Sequence, residues 1–337
     1  MPLAFDRSSI IFVYLKEQGN FMNSKHAQYM LTVFQEGSIT RAAKKLYVSQ
    51  PSLSQMVKLV ETNLGAPIFD RSTDPLTLTR AGKKYIEAAQ KILTIDANLE
   101  REISQIRNQD HGTIRLGMPI QRGMQALPHT LAEFYEHYPH VQITLFEHGS
   151  AATERLVLDG TVDIACITTV PKHDDLVYTL VEREQLVLIA SRKTALASRI
   201  PGGTPISILE AKNENFISNK PGHSVRTIQD SLFLTNNIEP KIILETSSIE
   251  VEKKTAVACG AVAICPINYI DYTEEMRRDA VIYPLLGTDS LRHCYICHRR
   301  DLYLTRYMEE FIQILKKHAG VILPENQAQD GGQSDRL

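Results

Sequence analysis

Residues 39–72, ITRAAKKLYVSQPSLSQMVKLVETNLGAPIFDRS, contain two short helices separated by a tight turn. Ser38 follows Gly37 and can cap a helix over 40–46, where Ala42, Ala43 and Leu46 fall on one apolar face. Tyr47 and Val48 make the turn. Ser49 is a second N-cap, and Pro51 sits in the first turn, where a missing N–H costs nothing. On this second helix Leu53, Val57, Val60 and Leu64 recur three and four residues apart and face inward, and Gly65 stops it. Gln50, Ser52, Ser54, Gln55 and Lys58 are left pointing outward. On an isolated helix such a face is more often simply solvated. It is also the chemistry that reads a major groove, because amides bond adenine bidentately and hydroxyls reach base edges or phosphates.

The whole segment decides between the two readings. Thr40-Arg41-Ala42-Ala43, Ser49-Gln50-Pro51, Ser54, Leu64-Gly65, Phe69-Asp70-Arg71 and Leu78-Thr79-Arg80-Ala81-Gly82 occur in this order and without a gap. Together they resemble the N-terminal winged helix-turn-helix of LysR-type transcriptional regulators. The resemblance implies that Thr40, Arg41, Ser49, Gln50, Pro51, Ser52, Ser54, Gln55, Lys58 and Arg71 contact double-stranded operator DNA. Two positions depart from the family's habit. Gln55 stands where an arginine is common, and the wing carries the acidic Asp74 followed by Pro75, which leaves a minor-groove contact from the wing open.

At 337 residues the chain suits two or three domains. Its 43% hydrophobic and 23% charged content is that of a soluble globular protein, and no apolar run approaches the roughly 18 residues of a membrane helix. The net charge of −2 excludes a protein that coats nucleic acid along its whole surface. The charge is uneven, however. From Met22 to Arg80 seven Lys/Arg face four Asp/Glu, so a modest basic head sits on an acidic body and its DNA affinity should fall with salt. Cys166, Cys259, Cys265, Cys294 and Cys297 form no regular framework, and no secretory signal is legible before them. Reduced thiols in a cytoplasmic protein are expected.

Taken in order, residues 1–21 read as an extension preceding the family's usual start at Met22, either a start-assignment artefact or an appendage. The head is expected over 22–80, with its first helix over 24–36. A long helix capped by Thr79 should run to about Asn108, and Tyr85, Ala88, Ile92, Ile95, Leu99, Ile103 and Ile106 recur along it as a seam that one helix cannot bury alone. The seam predicts a partner helix from a second subunit, and the resemblance makes residues 81–110 the linker and dimerisation helix of a homodimer or homotetramer. From residue 111 the pattern changes to strands alternating with helices, which calls for parallel sheet with right-handed crossovers. The resemblance implies a two-lobed, periplasmic-binding-protein-like effector domain over 111–323. The first lobe is expected from 111–169 and 267–323 and the second from 170–266. Residues 324–337 are polar and Gly-rich, with the composition of a disordered tail.

Ligand sites in such sheets form where strands end and helix N-termini aim N–H groups and a positive dipole outward. Three junctions qualify: Pro119-Ile120-Gln121-Arg122, Ser218-Asn219 with His223-Ser224, and the stretch around Ser247, with Thr168 at the lobe crossing. These residues suit a small anionic effector, although any one such serine is more often just a helix cap. Cys294-Tyr295-Ile296-Cys297-His298 matches a haem-attachment spacing, but the surrounding alternation says strand, on which the two thiols face opposite ways. No cofactor or metal is therefore expected. The fold class is an all-α winged helix-turn-helix, a long linker helix and an α/β two-lobed domain. The function is that of a LysR-type DNA-binding transcriptional regulator controlled by a small-molecule effector, with RNA polymerase open as a further partner. A two-lobed solute receptor would need export, and an enzyme would need a nucleophile, base and orienter that the sequence does not group.

Overall fold

Four polar side chains start the four helices of the N-terminal part. In a computed structural model describing residues 22–107, 111–270, 273–287 and 291–319, Asn23, Ser38, Ser49 and Thr79 each accept a hydrogen bond from the backbone N–H three residues ahead. They open α1 (Ser24–Glu36), α2 (Ile39–Lys45), α3 (Gln50–Leu64) and α4 (Arg80–Ile106). Gly37 and Gly65 close α1 and α3 at φ 56° and 72°, a region that glycine enters without steric cost. Two short antiparallel strands, β1 (Phe69–Asp70) and β2 (Thr77–Leu78), form the wing. Met30, Val33, Leu53, Val57, Val60, Ile68, Tyr85 and Ile86 make one core.

The seam on α4 divides. Tyr85, with Ile86 and Ala89, is buried in the core of the same unit, whereas Ile95, Leu99 and Ile106 are 66%, 54% and 74% exposed. Ala88 is exposed as well, Leu93 still packs against this core, and Ile95, Leu99, Ile103 and Ile106 beyond it belong to no core of this unit.

The described residues separate into two compact units, divided after Arg107. In the second, β3 (Gly112–Met118), α5 (Ile120–His137), β4 (Val141–Glu147), α6 (Ser150–Leu158) and β5 (Ile164–Ile167) follow one another, with β3 parallel to both β4 and β5. The sixteen-residue strand β6 (Leu176–Ser191) follows. After α7 (Ala195–Arg199) the scheme repeats as β7 (Asn215–Asn219), α8 (Ser224–Thr235), β8 (Lys241–Thr246), α9 (Ile249–Ala258) and β9 (Val262–Pro266), with β7 parallel to β8 and β9. Helix α10 (Glu274–Asp279), β10 (Ala280–Pro284), β11 (Leu291–Arg299) and α11 (Arg306–Ala319) complete the described chain.

Strand β6 joins the lobes. Its first part, up to Gln185, pairs with β11, which also pairs with β5, while Leu186–Ser191 pairs with β9 and β10. Strand β10 therefore belongs to the second lobe, and the return crossing falls after Pro284 rather than at 266/267. No local signal in the sequence assigns β10 to one lobe and β11 to the other, because pairing with different parts of β6 decides it. One core gathers Ile114, Leu116, Phe134 and Phe311, and the other Leu188, Phe216, Phe233 and Tyr283. No described helix is long and apolar enough to cross a membrane.

Candidate nucleic-acid interface and ligand cavity

Helix α3 is built to present a side. Leu53, Val57 and Val60 are fully buried, so Gln50, Pro51, Ser52, Gln55 and Lys58 are exposed and Ser54 is partly so; Thr40 is exposed on α2. Three of the other expected contacts have work inside the protein. Arg41 donates from Nε to the carbonyl of Glu36 at 3.0 Å, closing the end of α1. Ser49 caps α3 and shares a hydrogen bond with Ser52 Oγ at 2.7 Å. Arg71 donates to Glu61 Oε2 at 2.9 Å, while Glu61 Oε1 accepts from the N–H of Ile68 and of Phe69, fastening α3 to the wing. The wing contains a cis Asp74–Pro75 bond, and the N–H of Leu76 donates to the carbonyl of Gly37 at 2.9 Å. Pro75 lies so close that a Cβ on Gly37 would meet its Cβ at 2.7 Å.

In the second unit a cavity of about 50 Å³ opens where strand ends of both lobes meet. Pro119, Gln121, Arg122, Thr168, Asn219 and Ser224 line it, as the junction argument expects. Three expected residues do not. Ile120 is 58% exposed, one step round α5 from Gln121. Ser218 is fully buried, and its Oγ accepts from Gln229 Nε2 at 2.6 Å; on strand β7 it faces opposite to Asn219. Ser247 is absent from the wall, to which its junction contributes Ile249 instead.

Sequence reasoning missed Gly149, Ser150, Cys166, Tyr269, Arg292 and Cys294 on the same wall. Gly149-Ser150 is a strand-to-helix junction of the kind already used and was open to the same argument. Arg292 and Cys294 carry no local signal, since antiparallel β11 brings them in from the far end of the chain.

Two buried arginines of the wall, Arg122 and Arg292, are balanced by two buried carboxylates outside the lining, Glu182 and Glu184. Arg122 donates to Glu182 Oε2 at 2.8 Å and also to Glu184, and Arg292 donates from Nε to the same Glu184. Two guanidiniums against two carboxylates offset each other's desolvation, which neither sign could bear alone. The ring of Tyr269 lies 5.8 Å and 5.1 Å from the two guanidinium carbons. Arg292 Nη1 reaches Ser224 Oγ at 3.3 Å, whereas Nη2 is buried without a hydrogen-bond partner among the described residues.

Direct bonds cross between the lobes. Thr168 Oγ1 donates to Ser224 Oγ at 2.8 Å, and Gln121 Nε2 donates to Glu250 Oε1 at 3.0 Å. Helices α5, α6 and α8 begin at Pro119, Gly149 and His223, none of which makes a side-chain cap, and all three residues line the cavity. Burial, with the nearby charge of Lys220, holds the His223 imidazole below its usual range, so it is neutral near pH 7. Cys294 and Cys297 do face opposite ways, packing into different cores.

A helix-turn-helix with a polar outward face, followed by two α/β lobes closing on a cavity, defines a DNA-binding regulator with a ligand-sensing domain. The family profile described as "LysR substrate binding domain" matches residues 107–320, and "Bacterial regulatory helix-turn-helix protein, lysR family" matches 24–83. The chain belongs to the LysR family of transcriptional regulators. It is 27% identical over 314 residues to the uncharacterized HTH-type transcriptional regulator YcgK of Bacillus subtilis, covering 88% of this chain and 94% of that protein. It is 25% identical over 300 residues to the HTH-type transcriptional regulator CfxR of Cupriavidus necator, covering 89% and 92%. Among solved structures, a full-length OxyR variant from Pseudomonas aeruginosa superposes with a TM-score of 0.67 at 20% identity, covering 88% of this chain and 94% of that one. The function is transcriptional regulation through a DNA-binding helix-turn-helix and an effector-binding domain, not enzymatic turnover.

Proposed function

We propose that the inter-lobe cavity is the effector seat and that the effector is a small anion. The observation that carries this reading is the meeting of three helix N-termini without side-chain caps and the buried Arg292 Nη2 at one cavity. First-turn N–H groups and an idle guanidinium nitrogen are donors in need of an acceptor, and the helix dipoles favour a negative one. Ser224, Thr168 and Gln121 supply the polar contacts that orient it, in place of Ser218 and Ser247.

A cavity of about 50 Å³ holds only a few waters. A metabolite larger than that seats itself by parting the lobes, at the expense of the Thr168–Ser224 and Gln121–Glu250 bonds. The effector therefore prefers one lobe angle over another, and that differential affinity is what shifts the equilibrium. The protein works in the cytoplasm as a homodimer or homotetramer through the exposed stripe of α4. Within it, lobe angle sets the spacing of paired recognition helices against their half-sites. Helix α3 reads the operator through Gln50, Ser54 and Gln55.

The test is a thermal-shift screen of the full chain against small mono- and dicarboxylates, followed by operator binding with each hit. A true effector at a hundredfold its Kd stabilises by about 2.7 kcal/mol and changes operator affinity or footprint by roughly 5- to 150-fold. Ser224→Leu should abolish that response and leave basal operator affinity unchanged. An unaltered response would place the effector elsewhere, at a subunit interface.

A further inference from the structure

Cys166 and Cys294 take no part in that reading. Cys166 lies on β5 opposite Ile296 of β11, which makes Cys294, two residues back, its diagonal neighbour on the same face of the sheet. The pairing of β11 with β6 is irregular between Cys294 and Tyr295. The two Sγ atoms are 3.1 Å apart, in hydrogen-bond contact and only about 1 Å beyond a disulfide bond length. Both thiols are buried, yet both line the cavity, which gives a small reagent a route to them. Arg122 stands on the same wall. The pair is asymmetric. The hydrogen bond from Cys294, helped by the charge of Arg122, holds the Cys166 thiol below its ordinary range, and the same hydrogen bond together with burial pushes Cys294 up. One sulfur is disposed to ionise and the other to keep its proton.

We infer that Cys166 and Cys294 are a peroxide-reactive thiol pair that closes to an intrachain disulfide in the cavity wall. The Cys166 thiolate attacks one oxygen of a hydroperoxide; an S–O bond forms, the O–O bond breaks, and the other oxygen leaves, with a proton, as alcohol or water. Cys166 is then a sulfenic acid. The Cys294 sulfur attacks it, forming the S–S bond as the S–O bond breaks, and water departs with the Cys294 proton. Two electrons pass from the two thiols to one hydroperoxide, which is consumed. Cys259, the exposed thiol, and Cys265 and Cys297, in other cores, have no such partner among the described residues.

Full-length protein, reduced and freed of reductant, is treated with hydrogen peroxide, quenched with N-ethylmaleimide and denatured for thiol titration and peptide mapping. Two of the five thiols should disappear, a peptide linking Cys166 to Cys294 should appear, and dithiothreitol should reverse both changes. Cys294→Ser should stop at a sulfenic acid on Cys166 that dimedone traps. Cys166→Ser should keep its remaining thiols, and Cys259→Ser should leave the linked peptide unchanged. The wild-type map decides even where a variant folds poorly. Five surviving thiols, or a linkage confined to Cys259 of two chains, would overturn the inference.

Discussion

The helices of the DNA-binding unit and the helices around the cavity begin in opposite ways. Each of α1 to α4 is opened by a side chain that takes up a first-turn N–H, whereas α5, α6 and α8 open at a proline, a glycine and a histidine that take up none. First-turn N–H groups require a partner wherever they are. In the DNA-binding unit the protein supplies it, so helix ends are fixed parts and the chemistry is displayed along a helix side. At α5, α6 and α8 the protein withholds it, and the chemistry sits at the helix ends. The difference is not one of lobe against head in general, since α9 in the second lobe is capped by Ser248. Among the helices that begin at the cavity wall, α5, α6 and α8 lack a side-chain cap, whereas α9, which contributes Ile249, has one.

The largest expected effect tests whether the cavity tolerates its charges only in balance. Arg122→Met removes two ion pairs and leaves Glu184 buried with Arg292 alone and Glu182 buried against the Asn268 amide. The second unit should lose about 3–5 kcal/mol of stability, as for other broken buried pairs. Urea unfolding followed by circular dichroism measures it, and a loss under 1 kcal/mol would mean that water already enters the quartet. In the DNA-binding unit the comparable probe is on a helix side. Gln50→Ala and Gln55→Ala should each cost about 1–3 kcal/mol on the cognate operator and far less on random DNA, with little change in stability. Lys58→Ala should weaken both DNAs alike. Equal losses on both DNAs for the glutamines would remove α3 as the reader.

What was legible in the sequence follows the same division. In the DNA-binding unit, caps, left-handed glycines, Pro51 and the spacing of Leu53, Val57 and Val60 are all local signals, and α1 occupies the residues 24–36 expected of it. Even there, reach across sequence was invisible. That Arg41 closes α1 and Arg71 braces the wing through Glu61 could not be seen from spacing. Around the cavity the strand-to-helix junctions were legible because each is local. Ser218 and Asn219 differ only through the two-residue period of strand β7, and the sequence NFISN carries no alternation that marks it. Arg292 and Cys294 depend on the pairing of β11 with β5 and β6 across more than a hundred residues, and no pattern within β11 encodes that.

The caps of the DNA-binding unit can be tested by removal. Thr79 Oγ1 accepts from the N–H of Gly82 at 2.9 Å and donates to the carbonyl of Pro67 at 2.6 Å, so it both starts α4 and ties it to the segment before the wing. Thr79→Ala should cost about 1–2 kcal/mol, read as faster hydrogen exchange at residues 80–86. An unchanged exchange rate would mean that core packing of Tyr85 and Ile86 alone holds the helix start.

The smallest effect on stability is the sharpest test of the comparison, because it gives a cavity helix what the others already have. Gly149 sits at the N-cap of α6 with φ −61° and ψ 151°, the extended geometry of a capping residue, and a Cβ there would meet nothing within 4 Å. Gly149→Ser can therefore be accommodated without strain, and its hydroxyl can accept from an N–H of the first turn of α6. Replacing a glycine cap by serine gains only a few tenths of a kcal/mol, so the unliganded protein should be slightly more stable. The same hydroxyl removes a donor that the proposed anion would use and occupies space in a cavity of only about 50 Å³. Stability and ligand response should then move in opposite directions: a small rise in melting temperature, and at least a tenfold higher concentration of a carboxylate found by the thermal-shift screen for half its effect on operator binding. If Gly149→Ser stabilises the protein and leaves that concentration unchanged, the open end of α6 does not serve the ligand. The missing cap would then be a consequence of the chain's path from β4 to α6 alone.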